Sequence, residues 1–158
     1  MNNSSDAKDP IILHLTLPVS VNQAFEAFVN ELNAWWPKEY TWAGEGLEEI
    51  AIEPYENGRC YERGPNGFEC DWGRVLEYEP PHRIIFTWQI DPDRVPQPNA
   101  KKASEIEVLF EGGDNETELT FIHRNFEKHG DNAKTYKKAL GSPEGWPYIL
   151  NNFEEAVS

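Results

Sequence analysis

Residues 72–90, WGRVLEYEPPHRIIFTWQI, contain the pattern that decides the fold. Ile84, Phe86 and Trp88 occupy every second position, and this alternation places them on one face of a β-strand. Pro80-Pro81 ends the preceding strand, because proline has no N–H group to donate to a strand ladder. The stretch therefore predicts two consecutive antiparallel strands with one apolar face.

The same period of two continues on both sides of this stretch. It predicts an initial strand at 11–17 and six later strands, separated by turn signals and by one long proline-rich loop at 91–102. The later strands lie at 48–54, 58–63, 67–78, 82–91, 104–111 and 116–124. Consecutive strands with short turns form an antiparallel meander, and the alternation leaves it one polar and one apolar face.

Two longer helices flank the predicted meander. Ser20, with Gln23 three residues later, forms a capping box at the start of a helix over 21–32. Ser142 and Pro143 are the predicted N-cap and first turn of a C-terminal helix that covers the apolar face of the sheet. Its apolar stripe comprises Trp146, Ile149, Leu150, Phe153 and Val157.

A chain of 158 residues has the length of a single domain. We predict a disordered polar leader at 1–9 and one domain over 10–158, in which a short helix near 132–139 precedes the C-terminal helix. The predicted fold class is α+β, with a curved antiparallel sheet of six to seven strands wrapped around the long C-terminal helix.

The charge balance excludes two kinds of partner. Acidic residues outnumber basic ones by 28 to 14, which gives a formal net charge of -14 and repels phosphate backbones and anionic lipid surfaces. We therefore expect neither nucleic acid nor a membrane as a partner. Since no apolar run approaches the roughly 20 residues of a membrane span and no signal-peptide pattern is present, the expected location is the cytoplasm.

Two cysteines, Cys60 and Cys70, flank a turn signal at 64–67. A hairpin with a three-residue loop places them face to face across the strand pair. Two reduced, buried thiols fit a reducing compartment, and a disulfide or redox pair is the alternative. No further ligand lies at zinc-site spacing, so no metal is expected.

Four stretches carry a resemblance to a known superfamily: 58–62 (GRCYE), 72–88, 117–126 (TELTFIHRNF) and 145–146. The chain resembles the helix-grip superfamily (START/SRPBCC), which includes lipid-transfer START domains, birch-pollen-allergen-like proteins and polyketide cyclases. Over 11–157 it is similar to the branch named for the activator of the heat-shock-protein ATPase. The resemblance implies a helix-grip fold but selects no function, because this scaffold hosts binding proteins, cyclases, hydrolases and chaperone regulators.

Residue patterns typical of catalysis are not found in the sequence. The four histidines form no HExxH-type motif, and no serine lies in a GxSxG elbow. Phosphate-cradling glycine loops and dinucleotide fingerprints are also missing. The sequence therefore predicts a binding protein rather than an enzyme, and one without a cofactor.

An apolar cavity is predicted between the sheet and the C-terminal helix, because aromatic walls with one or two polar groups suit a flat apolar ligand. Its predicted lining is Trp72, Phe86, Trp88, Phe121, His123, Trp146 and Phe153. Ordinary core packing is the alternative for each ring. His123 either orients a ligand or acts as a base, or it is a strand-end histidine satisfied by backbone or water. Arg74 shares the phase of Trp72 and faces either inward, toward a ligand carboxylate, or outward in a salt bridge.

Three hypotheses for function remain. The first is a protein that binds a small apolar or aromatic molecule in this cavity, and the second is a cyclase- or hydrolase-like enzyme that uses the same cavity. The third is a protein-interaction module related to chaperone ATPase activators. It would use the acidic stretch at 45–56, although such charge runs are usually solvated surfaces. A homodimer or another protein partner is left open.

Overall fold

The computed structural model describes residues 8–158, so the predicted leader at 1–9 lies outside the described residues except for its last two. The described chain forms a seven-stranded sheet and four α-helices. The strands are β1 Ile11–Leu17, β2 Glu49–Ile52, β3 Arg59–Arg63, β4 Glu69–Glu79, β5 Arg83–Trp88, β6 Ser104–Gly112 and β7 Thr117–Arg124. The helices are α1 Val21–Asn30, α2 Leu32–Trp35, α3 Ala133–Leu140 and α4 Trp146–Val157. No helix in this part of the chain has the length and apolarity that a membrane crossing requires.

The sheet has the order β1-β7-β6-β5-β4-β3-β2, and its strand pairs are antiparallel. Strands β2 to β7 form the predicted meander. The first strand adds to its far edge beside β7, with Leu15 opposite Leu119. Helices α1 and α2 connect β1 at one edge to β2 at the other. The predicted α+β fold, a curved sheet packed around the C-terminal helix, is confirmed.

The stretch that decides the fold forms β4 and β5. Ile84, Phe86 and Trp88 are buried on the inner face, as the alternation predicts. The outer face of β5 is not wholly polar, however, because Ile85 on that face is also buried. Glu107 lies directly across from Ile85 in β6 and binds the arginines of neighbouring positions, so an ion-pair network covers this part of the outer face.

A β-bulge at Trp72 changes the predicted phase of β4. Gly73 pairs with Cys60, and the next pair along the strands skips Trp72. Trp72 therefore points inward while Arg74 is exposed and forms an ion pair with an aspartate of its own strand, which is the outward alternative. Only glycine fits beside the bulge, because a Cβ atom at Gly73 would lie 2.3 Å from the backbone oxygen of Thr87.

The start of α1 is the predicted capping box. The Gln23 backbone N–H donates to the Ser20 hydroxyl at 3.1 Å, and the Ser20 N–H donates to the Gln23 side-chain oxygen at 3.1 Å. The helix ends at Asn30, slightly before the predicted end, and the short helix α2 continues toward Pro37. This capping fixes where the chain leaves β1 and turns toward the core.

The predicted start of the C-terminal helix at Ser142 and Pro143 is wrong. Helix α4 begins at Trp146, with Gly145 as its N-cap residue. The Ser142 hydroxyl instead donates to the backbone oxygen of Ala139 at 2.7 Å, so it caps the end of α3. From Trp146 onward, the predicted stripe is buried against the sheet, apart from a partly buried last residue.

The two cysteines do not face each other, contrary to the prediction. Cys60 lies opposite Gly73, and Cys70 lies opposite Glu62. The connection between β3 and β4 spans 64–68, which is longer than predicted, and the bulge shifts the pairing further. Both thiols are free in the structure, with Cys60 buried and Cys70 partly exposed.

Candidate functional site

A cavity of about 500 Å³ lies beside the first turn of α4. This volume falls within the range of about 300–1,000 Å³ that is typical of small-molecule pockets. Three connections surround it: the segment that follows α2, the loop between β5 and β6, and the turn that joins α3 to α4. The cavity therefore lies at the N-terminal end of α4 and not along the middle of the helix.

Aromatic side chains form much of the cavity wall: Trp36, Tyr40, Trp42, Trp88 and Tyr136. Trp36 and Trp88 are only 9% and 5% exposed, whereas Tyr40 and Trp42 are 42% and 36% exposed. The first two rings therefore mark the inner end of the cavity, and the second two mark its mouth. We call these five rings the aromatic wall.

Hydrogen bonds fix the inner end of the aromatic wall. The Trp88 indole Nε1 donates to the Tyr136 hydroxyl at 2.8 Å, and that hydroxyl donates to the backbone oxygen of Ile90 at 2.7 Å. Burial raises the pKa of Tyr136, although the Trp88 hydrogen bond opposes it, so the phenol is neutral at physiological pH. The two rings are thus held in place before any ligand enters.

Two indole N–H groups near the cavity have no acceptor among residues 8–158. They are the Nε1 atoms of Trp36 and Trp72, whose rings stack at 6.1 Å between centroids. A buried donor without a partner is uncommon, because it loses its hydration without replacing it. Trp36 lines the cavity, so one of the two donors belongs to a side chain of the aromatic wall.

The mouth of the cavity is tied together by two hydrogen bonds between distant parts of the chain. The Tyr40 hydroxyl donates to the backbone oxygen of Glu144 at 2.7 Å. The Trp42 indole donates to the backbone oxygen of Arg94 at 2.8 Å. These bonds join all three surrounding connections, so the mouth has a defined shape.

Three charged side chains also line the cavity: Glu39, Glu144 and Arg94. The Tyr148 hydroxyl donates to the Glu39 carboxylate at 2.5 Å, and this hydrogen bond lowers the pKa of Glu39. Glu39 is therefore ionised at neutral pH. The cavity thus combines an apolar interior with a charged rim.

His123 belongs to a buried network next to the cavity. The Trp146 indole donates to His123 Nδ1 at 2.9 Å, and the Ser104 hydroxyl lies 2.6 Å from His123 Nε2. The same hydroxyl lies 2.8 Å from His129 Nε2, which also accepts the Ser104 backbone N–H at 3.2 Å. The network joins β6, β7, the turn after β7 and the start of α4.

The donors in this network fix its proton positions. An indole N–H can only donate, so His123 carries its proton on Nε2 and donates it to the Ser104 hydroxyl. Burial lowers the pKa of His123 well below its ordinary value, and burial also lowers the pKa of His129 to about 4. Both rings are therefore neutral at physiological pH. His123 is satisfied by side chains rather than by backbone or water.

The predicted site residues divide into two groups. Trp88 lies in the aromatic wall of the cavity. The others are buried in the core outside this lining: Trp72, Phe86, Phe121, His123, Trp146 and Phe153. Trp72 and Trp146 contact rings of the aromatic wall, so they support the cavity from behind. Direct ligand contact by these six residues stays a prediction.

Most lining residues were not predicted, because they lie outside the periodic segments. Tyr40 and Trp42 follow α2 in a segment without helix or strand alternation, and Arg94 lies in the proline-rich loop. Tyr136 belongs to the short helix α3, which was predicted near 132–139 without a site. The available signal was the presence of large aromatic residues in connections, where core packing does not require them.

Among residues 8–158, no three histidine, cysteine, aspartate or glutamate side chains are grouped as a metal site would require. The site is therefore described by its rings, its two carboxylates and its one guanidinium. A curved antiparallel meander that grips a C-terminal helix, with a cavity at one end of that helix, defines a helix-grip protein. The chain belongs to the family described as "Activator of Hsp90 ATPase homolog 1-like protein", whose model matches residues 18–158.

Solved structures extend this comparison. The anthrahydroquino-γ-pyrone synthase Txn09, solved in complex with SUM, is 33% identical to this chain, with a TM-score of 0.67. The match covers 96% of this chain and 99% of the synthase. No protein with a curated function matches the chain.

Two further neighbours share the fold at lower identity. CalC, a self-sacrificing resistance protein from Micromonospora echinospora, is 23% identical, with a TM-score of 0.69 and coverage of 96% of this chain and 95% of CalC. The Aha1 dimer from Colwellia psychrerythraea is 16% identical, with a TM-score of 0.62 and coverage of 94% of this chain and 96% of that one. These two likenesses support the fold and carry no function to this chain.

Proposed function

We propose that this protein binds a flat aromatic small molecule in the cavity beside the first turn of α4. The observation that carries the proposal is the aromatic wall, in which five rings line a space of about 500 Å³. Aromatic rings favour flat ligands because they offer a large apolar area and stack or pack edge-on against other rings. Rings held in place before binding lose little entropy when the ligand enters.

The 33% identical synthase supports this ligand class. Its name refers to an anthrahydroquinone, which is a flat fused-ring aromatic, and the match spans nearly the whole of both chains. The neighbours of lower identity do not bear on the class of ligand. The proposal therefore rests on the cavity first and on this one relative second.

A neutral fluorescent probe tests the proposal. N-phenyl-1-naphthylamine is aromatic and uncharged, and its emission rises in an apolar site, so titration should give a saturable signal and quench tryptophan emission. Ala139 lines the cavity from an exposed position of α3, so Ala139→Trp should fill the space without disturbing the core. Affinity for the probe should fall by more than about tenfold, or about 1.4 kcal/mol.

The matched control is Lys138→Trp, which places the same ring on the same helix outside the cavity lining. It should bind the probe like the parent protein, and both variants should keep the parent far-UV circular dichroism spectrum. Failure of the parent protein to bind the probe, or equal binding by Ala139→Trp, would contradict the proposal.

A second candidate is ring closure on such a molecule, which the relationship to a pyrone synthase favours. The cavity supplies carboxylates for this chemistry, since Glu39 is ionised and Glu144 lies on the same lining. A carboxylate is able to accept a phenol proton while the phenol oxygen attacks a nearby carbon. This candidate uses the same cavity as the binding function and adds a chemical step to it.

The enzymatic candidate has its own test. The probe is a hydroxyanthraquinone with an α,β-unsaturated ketone beside a phenol. Closure forms a bond from the phenol oxygen to the β-carbon, and the phenol proton ends on the α-carbon. The product is an isomer, visible as a new chromatographic peak of unchanged mass. Glu39→Gln should slow its formation by about a hundredfold if Glu39 is the base, and a peak that forms equally without protein would reject this candidate.

Two other predictions accompany the proposal. A homodimer remains a prediction, and native mass spectrometry of purified protein tests it directly. A cytoplasmic location also remains a prediction from the sequence. If the aromatic probe fails to bind while a protein partner is retained, the interaction-module hypothesis replaces the binding proposal.

A further inference from the structure

One of the arginines differs from the others in its surroundings. The chain has six arginines, and five of them form ion pairs with carboxylates. The five are Arg59, Arg63, Arg74, Arg83 and Arg124. The sixth, Arg94, makes no ion pair with any residue in 8–158, and it lines the cavity. An unpaired cation in a protein of net charge -14 is therefore located at the candidate site.

Both backbone polar groups of Arg94 form hydrogen bonds. Its N–H donates to the backbone oxygen of Asp91 at 2.9 Å, and its carbonyl oxygen accepts the Trp42 indole N–H. Its φ of 66° lies in the left-handed region, which arginine rarely adopts. The loop therefore anchors this residue at the cavity mouth.

The loop has two acidic residues, Asp91 and Asp93, and neither forms an ion pair with Arg94. The Asp91 carboxylate accepts the backbone N–H groups of Asp93 at 2.9 Å and Val95 at 3.2 Å. It stabilises the turn and forms no ion pair with Arg94. The guanidinium of Arg94 keeps its five N–H donors available for another acceptor.

The charge of Arg94 also reaches the inner wall of the cavity. Burial raises the pKa of Tyr136, the Trp88 hydrogen bond and the positive charge of Arg94 oppose this, and the negative charge of Asp91 adds to it. Arg94 and the buried Tyr136 also line the same cavity. Glu39 and Glu144, the other charges on the lining, come from the segment after α2 and from the turn before α4.

We propose that the ligand is an aromatic anion whose ionised oxygen pairs with Arg94 while its rings lie against the aromatic wall. This inference rests on the proposed binding function and narrows it to flat aromatics that carry an acidic hydroxyl, carboxyl or sulfonate group. A planar guanidinium forms parallel hydrogen bonds to such oxygens. The two carboxylates repel the anionic end elsewhere on the rim, so Arg94 fixes the orientation of the ligand.

A matched pair of probes separates charge from ring shape. 1-Anilinonaphthalene-8-sulfonate and N-phenyl-1-naphthylamine share one ring system, and only the first carries a negative charge. Arg94→Gln should weaken binding of the sulfonate about tenfold and change binding of the neutral probe by less than about twofold. Arg94→Lys keeps the charge without the planar fork and should fall between the parent and Arg94→Gln.

The control variant is Arg74→Gln, which removes one positive charge from an exposed site on β4. It should bind both probes like the parent protein. Raising the salt from about 0.05 M to 0.5 M should weaken sulfonate binding by the parent more than by Arg94→Gln, because salt screens exposed charges.

The outcomes are distinct. Unchanged sulfonate binding by Arg94→Gln overturns the inference, and so does an equal loss for both probes, since Arg94 would then act only as part of the wall. Both of these results leave the proposed binding function intact. Failure of the parent to bind either probe overturns the binding function and this inference together.

Discussion

Acid should destabilise the fold through His123. This ring is fully buried, and its Nδ1 atom already accepts the Trp146 indole N–H. A second proton on Nδ1 would point at that N–H, so protonation removes a hydrogen bond and leaves a charge in an aromatic core. The pKa of His123 in the folded protein is therefore well below 6.5, because burial disfavours the charged ring.

The sign and size of the effect follow from proton linkage. As the pH falls below about 6.5, the unfolded chain binds a proton at this position and the folded chain does not, so the free energy of unfolding decreases. One such group contributes about 1.4 kcal/mol per pH unit, which is about 2 kcal/mol between pH 6.5 and 5. His129, whose pKa burial lowers to about 4, acts in the same direction over the same range.

Urea unfolding followed by circular dichroism at pH 7, 6 and 5 measures this slope. His123→Phe should be less stable at pH 7, by about 2 kcal/mol, because the Trp146 donor loses its acceptor. Its stability should nevertheless depend less on pH, by about 1.4 kcal/mol per unit. Asn151→Gln, at an exposed position of α4, carries no titrating group and should keep the parent slope. Equal slopes for the parent and His123→Phe would refute the reasoning.

Three other substitutions or modifications test the fold. Leu150→Asp buries a charge within α4 and should lower the free energy of unfolding by more than about 4 kcal/mol. Asn151→Asp, on the exposed side of α4, should change it by less than about 0.5 kcal/mol. Equal urea midpoints for Leu150→Asp and the parent protein would place the helix outside the core. Gly73→Ala forces a Cβ atom to 2.3 Å from a β5 carbonyl oxygen and should cost about 3 kcal/mol, whereas Gly113→Ala meets no atom within 4 Å and should be nearly neutral. Alkylation in denaturant without reductant should add two labels, and alkylation of the native protein should slowly label only Cys70, the partly exposed thiol; finding no label in denaturant would indicate a disulfide.

The strands and their inner faces were predictable because alternation is a local signal. Ile84, Phe86 and Trp88 are buried as expected, and so is Phe121 on β7. The burial of each of these positions is predictable from the alternation within its own strand. The short turns between most of these strands then predict the neighbours of β2 to β7, whereas the place of β1 beside β7 does not follow from a turn.

Two wrong predictions, the phase of β4 and the start of α4, show the limit of patterns that lie within one segment. The phase of β4 changes at Trp72 because an extra residue enters the pairing with β3, and a pattern within one strand does not record its partner's register. Ser142 and Pro143 form a plausible helix start, but the serine hydroxyl has a competing acceptor at the end of α3. Both outcomes are decided by contacts with a neighbouring element.

The cavity was less predictable than the fold because its residues meet only in three dimensions. Tyr40 and Glu144 are separated by 104 positions in sequence, and Trp42 and Arg94 by 52, yet each pair is joined by a hydrogen bond. Trp88 was found because it also lies on a strand of the sheet. The residues of the mouth belong to connections, where no period marks them.

This division has a consequence for how the protein tolerates change. The core network around His123 and Trp146 stabilises the grip between sheet and helix, and neither side chain lines the cavity. Arg94 and Trp42 lie on connections and contribute to the mouth without belonging to that core. Because Arg94 lies outside the core network, substitutions of Arg94 should alter ligand preference at nearly constant stability. Substitutions of His123 should mainly alter stability, although this ring contacts Trp88 of the aromatic wall. A helix-grip fold built in this way is able to accept new ligands through its connections while the sheet and α4 stay the same.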